Sequence, residues 1–201
     1  MSEMKDRMLR GELYIADDPE LAADNARAQA VLDRFNATTH AEYDDRPGLL
    51  RELLGSVGEN VVIRPPFRCD YGTYITIGAG TFANFGCVML DCAPITIGAA
   101  CQIATNVQLL TPTHPIDPGP RRAAWEAAEP ITLGDNVWLG GGAIVCPGVS
   151  IGADTVVGAG AVVTRDLPAG VVAVGNPARV LREIGDADRV QVPRLGRRCV
   201  E

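Results

Sequence analysis

"LGDNVWLGGGAIVCPGVSIGADTVVGAGAVVTRDLP", residues 133–168, divides into sixes without a gap: LGDNVW, LGGGAI, VCPGVS, IGADTV, VGAGAV, VTRDLP. The first positions are Leu133, Leu139, Val145, Ile151, Val157 and Val163, all branched aliphatics. The fifth positions are Val137, Ala143, Val149, Thr155, Ala161 and Leu167, mostly small. A fixed internal period takes precedence over any other structural signal. An α-helix needs apolar residues at spacings of three and four, and a lone strand at two. A period of six suits a short strand followed by a corner, with the aliphatic filling the inside of the corner. Glycine, Asn and Asp near the corner accept backbone angles that other residues resist. Three such sides close a triangular coil of about 18 residues, and stacked coils form parallel ladders around a continuous aliphatic core.

The same frame runs upstream as IGAGTF, ANFGCV and MLDCAP from Ile77, then after a slip as IGAACQ and IATNVQ from Ile97, with a looser version near Glu59. About two coils are expected before residue 111 and two after residue 130. Cys69, Cys87 and Cys101 fall where the frame wants a small inward residue, and read as buried small hydrophobes. Upstream, Asp17-Asp18-Pro19 is a helix-start signal, and Leu21, Ala28, Leu32 and Phe35 then share one helical face. A shorter helix is expected from Pro47 to Leu54, stopping at Gly55. Downstream, LPAGVVAVGNPARVLREIG leaves the repeat; Asn176-Pro177 reads as a turn, and one helical turn would align Arg179 with Arg182. The expected division is a helical cap over 1–58, a solenoid over 59–185 with an excursion at about 111–130, and a polar tail over 186–201.

A net charge of −7 argues against nucleic-acid or anionic-membrane partners. No apolar run approaches the roughly 20 residues needed to span a bilayer. The start, MSEMKDRMLRGELY, has no signal-peptide core, so a cytoplasmic location with reduced thiols is expected. Six cysteines without a CxxC pair, and only two histidines, argue against a metal site.

The repeat stops at "LLTPTHPIDPG", residues 109–119, which holds His114, the solenoid region's one histidine, among Pro112, Pro115 and Pro118. "GELY", "FRCDYGTYITIG", "FANFGCVMLD", "THPIDP", "ITLGDNVWLGGGAIVCPGVSIG", "GAGAVVTRDLP" and "GNPARVLREI" occur in the order seen in maltose O-acetyltransferases. Over about residues 5–185 the chain resembles that family and the wider group of galactoside and nodulation-factor O-acetyltransferases. The resemblance implies an all-β solenoid, specifically a left-handed parallel β-helix. It also implies a homotrimer with active sites between subunits, and acetyl transfer from acetyl-CoA to a hydroxyl, usually of a sugar.

An alcohol attacking a thioester needs a base to take its proton. Histidine suits that task near neutral pH, and His114 matches the family's base, on a loop expected to reach towards the next subunit. Asn84 matches the active-site asparagine, which would orient the acceptor or steady the tetrahedral intermediate. Asp70 and Asp91 are candidate acceptor contacts, with Asp17 and Tyr14 closing the pocket from the N-terminal block. At two of these places the chain departs from its relatives: Asp70 stands where the galactoside branch tends to carry serine, and Cys92 at the acidic acceptor-binding position. Trp138 matches a tryptophan that shapes the site. The run Gly140-Gly141-Gly142 permits close backbone approach, and the Gly141 N–H is the candidate oxyanion donor. Ala159, within Gly158-Ala159-Gly160, would let the pantetheine arm lie against a coil. Thr164, Arg165, Arg179 and Arg182 match positions that meet the cofactor. Direct transfer is expected rather than a Cys92 acyl-enzyme, because no thiolate-stabilising neighbour is evident.

Rival readings are a carbonic anhydrase on the same scaffold, a transferase with serine or an antibiotic as acceptor, and a silent trimeric scaffold. The first needs three zinc-binding histidines where the solenoid offers His114 alone. Intact His114, Asn84 and Trp138 argue against the last.

Overall fold

The computed structural model describes residues 1–192; the rest of the expected tail, Cys199 included, lies outside the described residues. Short strands stack into three sheets, two of five strands and one of seven, all parallel but for the last strand of the seven. One sheet carries the register Ile77↔Ile97↔Leu133↔Ile151, so the first hexapeptide positions of successive coils stand directly above one another. All six first positions downstream of the excursion are 2% exposed or less, and they merge with the upstream aliphatics into one core. Three coils precede the excursion rather than two. The first is made by Ser56–Val57, Val62–Ile63 and Phe67–Cys69. Two full coils follow the excursion, and the isolated bridge Ile151↔Leu167 opens a partial further one. Cys69, Cys87 and Cys101 point into the core as expected.

The corners use two kinds of position. Glycine directly after the aliphatic is required by space: a Cβ at Gly134 would lie 2.5 Å from the Ala153 nitrogen of the next coil. The left-handed backbone falls two residues later, at Ala100 (φ 56°), Asn136 (φ 56°) and Asp154 (φ 60°). Asn136 and Asp154 suit that conformation and hydrogen-bond each other at 2.8 Å. Ala100 pays the Cβ penalty with nothing in return. Its side chain is exposed, so Ala100→Gly is expected to stabilise the chain by about 1 kcal/mol, read from a urea midpoint.

The N-terminal block contains α1 (Glu3–Leu9), α2 (Pro19–Ala37) and α3 (Arg46–Leu53). Asp18 caps α2 by accepting from the Glu20 and Leu21 amides. Ala28, Leu32 and Phe35 of α2 and Leu50 and Leu53 of α3 close the first coil's end of the core. The polar side of α2 completes the job. The Asn36 amide accepts from the Phe67 N–H at 2.8 Å and donates to the Phe67 carbonyl at 2.9 Å. Gln29 and Asn25 donate to the carbonyls of Cys69 and Asp70. Side-chain amides thus satisfy the backbone of an edge strand on the side where it has no neighbouring strand.

At the other end the chain differs from expectation. Arg179 and Arg182 lie on a strand, Arg179–Glu183, not on a helical turn. It pairs antiparallel with Val171–Val174, whose free edge offers backbone partners that a helix would forgo. The polar segment continues through a short 3-10 turn, Asp186–Asp188.

Candidate active site

The excursion does not project freely. It forms strand Pro112–Thr113, helix α4 (Pro118–Arg122) and strand Trp125–Ala128, and the two strands pair antiparallel. Strand Tyr14–Ile15 of the N-terminal block joins the second of them, with Tyr14 opposite Glu126 and Ile15 opposite Trp125. Beneath this sheet lies a small second core of Met8, Tyr14, Leu21, Tyr71, Cys92, Ala93 and Ala128. At the root of the loop, the buried Thr111 hydroxyl donates to the Leu90 carbonyl at 2.7 Å and accepts from the Ala93 N–H. The loop carrying His114 is therefore fastened by its own chain on both sides.

A cavity of about 460 Å³ opens between the excursion and α2, and Asn25, Asp70, Tyr71, Cys92, His114 and Glu126 line it. The His114 side chain is 55% exposed, and its Nε2 stands 3.8 Å from the Glu126 carboxylate, which is only 16% exposed. The Asp70 carboxyl is held above its ordinary range, first by burial, against the pull of the Cys92 thiol; the Asp91 and Glu126 charges add to the rise. Burial also pushes the Cys92 thiol upward, and Asp70 reinforces it, so this sulfur is a neutral thiol and not a poised nucleophile.

The cavity brings His114 and Asp70 together, and sequence reasoning missed Glu126 and Asn25 beside them. Other expected contacts stand elsewhere. Asp91 is fully buried and is corrected from acceptor contact to corner clamp: its carboxylate accepts from the N–H groups of Asp70 (3.1 Å), Tyr71 (2.9 Å) and Tyr74 (3.2 Å). Tyr14 is fully buried beneath the cavity and does not line it. Asp17 is exposed, while its neighbour Ala16 reaches the lining. Asn84 is half-buried in a coil corner, where its side-chain oxygen accepts from the Phe85 N–H.

Trp138 is 54% exposed on the outer face of the seven-stranded sheet. It lines a separate groove of about 830 Å³ with Gln102, Asn136, Asp154 and Val156. Gly141 follows closely in the next corner, where an added Cβ would meet the Thr105 hydroxyl at 3.4 Å. Among the described backbone hydrogen bonds none uses the Gly141 N–H, whereas Gly142, at φ 68°, donates to the Thr105 carbonyl. Ala159 is exposed one coil further on, and Thr164 and Arg165 are exposed just beyond that coil's last strand. Arg179 donates to the Ala178 carbonyl, and Arg182 makes two 2.7 Å bonds to Asp188. Among the described residues no three His, Cys, Asp or Glu side chains converge as metal ligands, and no helix is long and apolar enough to cross a membrane.

Comparison with known proteins agrees with this architecture. The maltose acetyltransferase hexapeptide capping motif matches residues 7–58, and the bacterial transferase hexapeptide, six repeats, matches residues 130–165. Nodulation protein L of Rhizobium meliloti (strain 1021) is 51% identical over 176 residues, covering 88% of this chain and 96% of that one. The crystal structure of a maltose O-acetyltransferase from Clostridium difficile 630 superposes with a TM-score of 0.90 at 43% identity, covering 92% of this chain and 99% of that one. A hexapeptide-repeat acetyltransferase from Vibrio cholerae O1 biovar eltor, solved in complex with acetyl coenzyme A, gives a TM-score of 0.85 at 39% identity, covering 92% and 100%. The solenoid is the left-handed parallel β-helix of these enzymes, and the chain belongs to the hexapeptide-repeat acetyltransferases, in the branch that carries the maltose acetyltransferase capping motif.

Proposed function

We propose that this chain transfers the acetyl group of acetyl-CoA to a hydroxyl of a saccharide, with His114 as general base. The observation that carries this reading is the exposed imidazole at the mouth of a cavity lined by Asp70 and Glu126. The Asp70 carboxyl accepts hydrogen bonds from sugar hydroxyls, and the His114 imidazole takes the proton of the attacking one. The alcohol oxygen bonds to the thioester carbon as His114 takes its proton. The tetrahedral intermediate then expels the CoA thiolate, which receives that proton from His114. The unused Gly141 N–H suits the oxyanion. Asn84 would orient the acceptor or steady the intermediate. Small exposed Ala159 offers a track for the pantetheine arm, with Gly142, Thr164, Arg165 and Arg179 along it. Arg182 would have to exchange Asp188 for a phosphate.

The cavity with His114 and the groove with Trp138 share no residue on one chain. A homotrimer that sets the cavity of one subunit against the Trp138–Gly141 face of the next supplies both halves. In this reading the helical block within 1–58 caps the solenoid, whose first strand is Ser56–Val57, and 59–185 carry the chemistry. The same reading places the enzyme in the cytoplasm.

The test is transfer from labelled acetyl-CoA to glucose, maltose, galactosides, chitin oligomers, serine and chloramphenicol, with products followed by mass. Acetylated saccharide is the expected product. Product from serine or chloramphenicol alone would overturn the acceptor class and keep the chemistry.

A further inference from the structure

Glu126 and Tyr14 face each other across the pairing of the N-terminal strand with the excursion. Glu126 is nearly buried, and its carboxylate reaches to 3.8 Å from His114 Nε2. Tyr14 is completely buried, yet its hydroxyl has no hydrogen-bond partner. Glu126 stands opposite it across the strand pairing, and Cys92 shares its small core. A buried hydroxyl left unpaired costs free energy that phenylalanine would avoid. Its presence therefore asks for a use.

We propose that Glu126 is a positioning residue for His114, and that the Tyr14 hydroxyl holds Glu126 in that post. This rests on the role given to His114 above. While the imidazole is neutral, 3.8 Å is too long for a hydrogen bond and the attraction is weak. Once the ring has taken the acceptor's proton, the same two groups form an ion pair inside a partly desolvated cavity. The interaction thus grows as the transition state forms, which is the condition for raising kcat and not merely tightening binding. The proton travels from acceptor to His114 to the CoA thiolate, and Glu126 takes no part in its transfer. The Tyr14 hydroxyl, unpaired in this structure, is the donor available to turn that carboxylate inward, and the strand pairing sets the two residues opposite each other.

The first measurement needs no acceptor. The chain has two histidines, His40 and His114, so their imidazole ¹⁵N resonances are assigned in the full chain with one His40→Gln control. At acid pH, Glu126→Gln is expected to move the His114 signals and leave those of His40 in place. Glu129→Gln, which removes an exposed carboxylate from the same excursion, should move neither. Unmoved His114 signals in Glu126→Gln would overturn the contact. The second measurement is steady-state transfer to the saccharide that the wild type accepts. Glu126→Gln should lower kcat about tenfold to a hundredfold with both KM values kept, and Glu126→Asp should recover part of the loss. Tyr14→Phe should lower kcat severalfold while the folded state becomes no less stable. A raised acceptor KM at unchanged kcat would make Glu126 an acceptor contact and overturn the proposal. Tyr14→Phe with full kcat would overturn the part given to Tyr14. A wild type that acetylates no saccharide would defeat the proposed function, and the resonance experiment would still decide the contact.

Discussion

His114→Ala is expected to lower kcat by roughly 10²- to 10⁴-fold while the protein folds as before. The side chain is 55% exposed and makes no hydrogen bond among the described residues, so its removal exposes no core and orphans no partner. The loop that carries it is held by the strand pairing, by Thr111 and by the second core, none of which involve the imidazole. The KM for acetyl-CoA should change little, because the cofactor track is built from other residues. The measurement is steady-state transfer to the accepted saccharide, with a thermal melt in parallel. Undiminished transfer in the variant would remove the base from the mechanism.

Asp91→Ala should act in the opposite way, costing roughly 3 kcal/mol of stability and leaving acetyl transfer per folded molecule close to that of the wild type. Three N–H groups in the turn from Asp70 to Tyr74 converge on one buried carboxylate. Alanine would leave all three without this partner around a position where the side chain is fully buried. Burial raises the Asp91 carboxyl above its usual range even though those amides pull it down, so part of the gain from the three bonds is already offset by desolvation. A urea titration checks the cost. A variant that kept full stability and instead raised the acceptor KM would return Asp91 to the acceptor.

These two residues show where the sequence was legible. The solenoid could be read because each coil repeats one environment, so a single rule about aliphatics and corners applies many times. The first coil was harder to see: Pro65 and Pro66 interrupt it, and Phe67 fills a fifth position that later coils mostly give to smaller residues. The two arginines after Pro177 carried a spacing that suits a helix, and only the free edge at Val171–Val174 decides for a strand. His114 stood out because it breaks the period. Asp91 looked like a site residue because carboxylates bind sugar hydroxyls and it adjoins the family's acidic acceptor position, while its partners lie one coil back in the chain. Glu126 gave no local signal. Its meaning depends on Tyr14, brought beside it by a strand pairing that no periodicity announces.

The amides of Asn25, Gln29 and Asn36 on α2 have a consequence for assembly. A stack of identical rungs has no intrinsic reason to stop. Its last exposed rung is a template for another chain, and repetition of that step yields a filament. Here the template is occupied by short side chains that mimic a strand's hydrogen bonds and carry no ladder onward. Association is thereby steered away from the axis of the solenoid and towards its flanks, where the proposed trimer would form. The same three residues that look like a local cap thus close this end of the solenoid to a further chain.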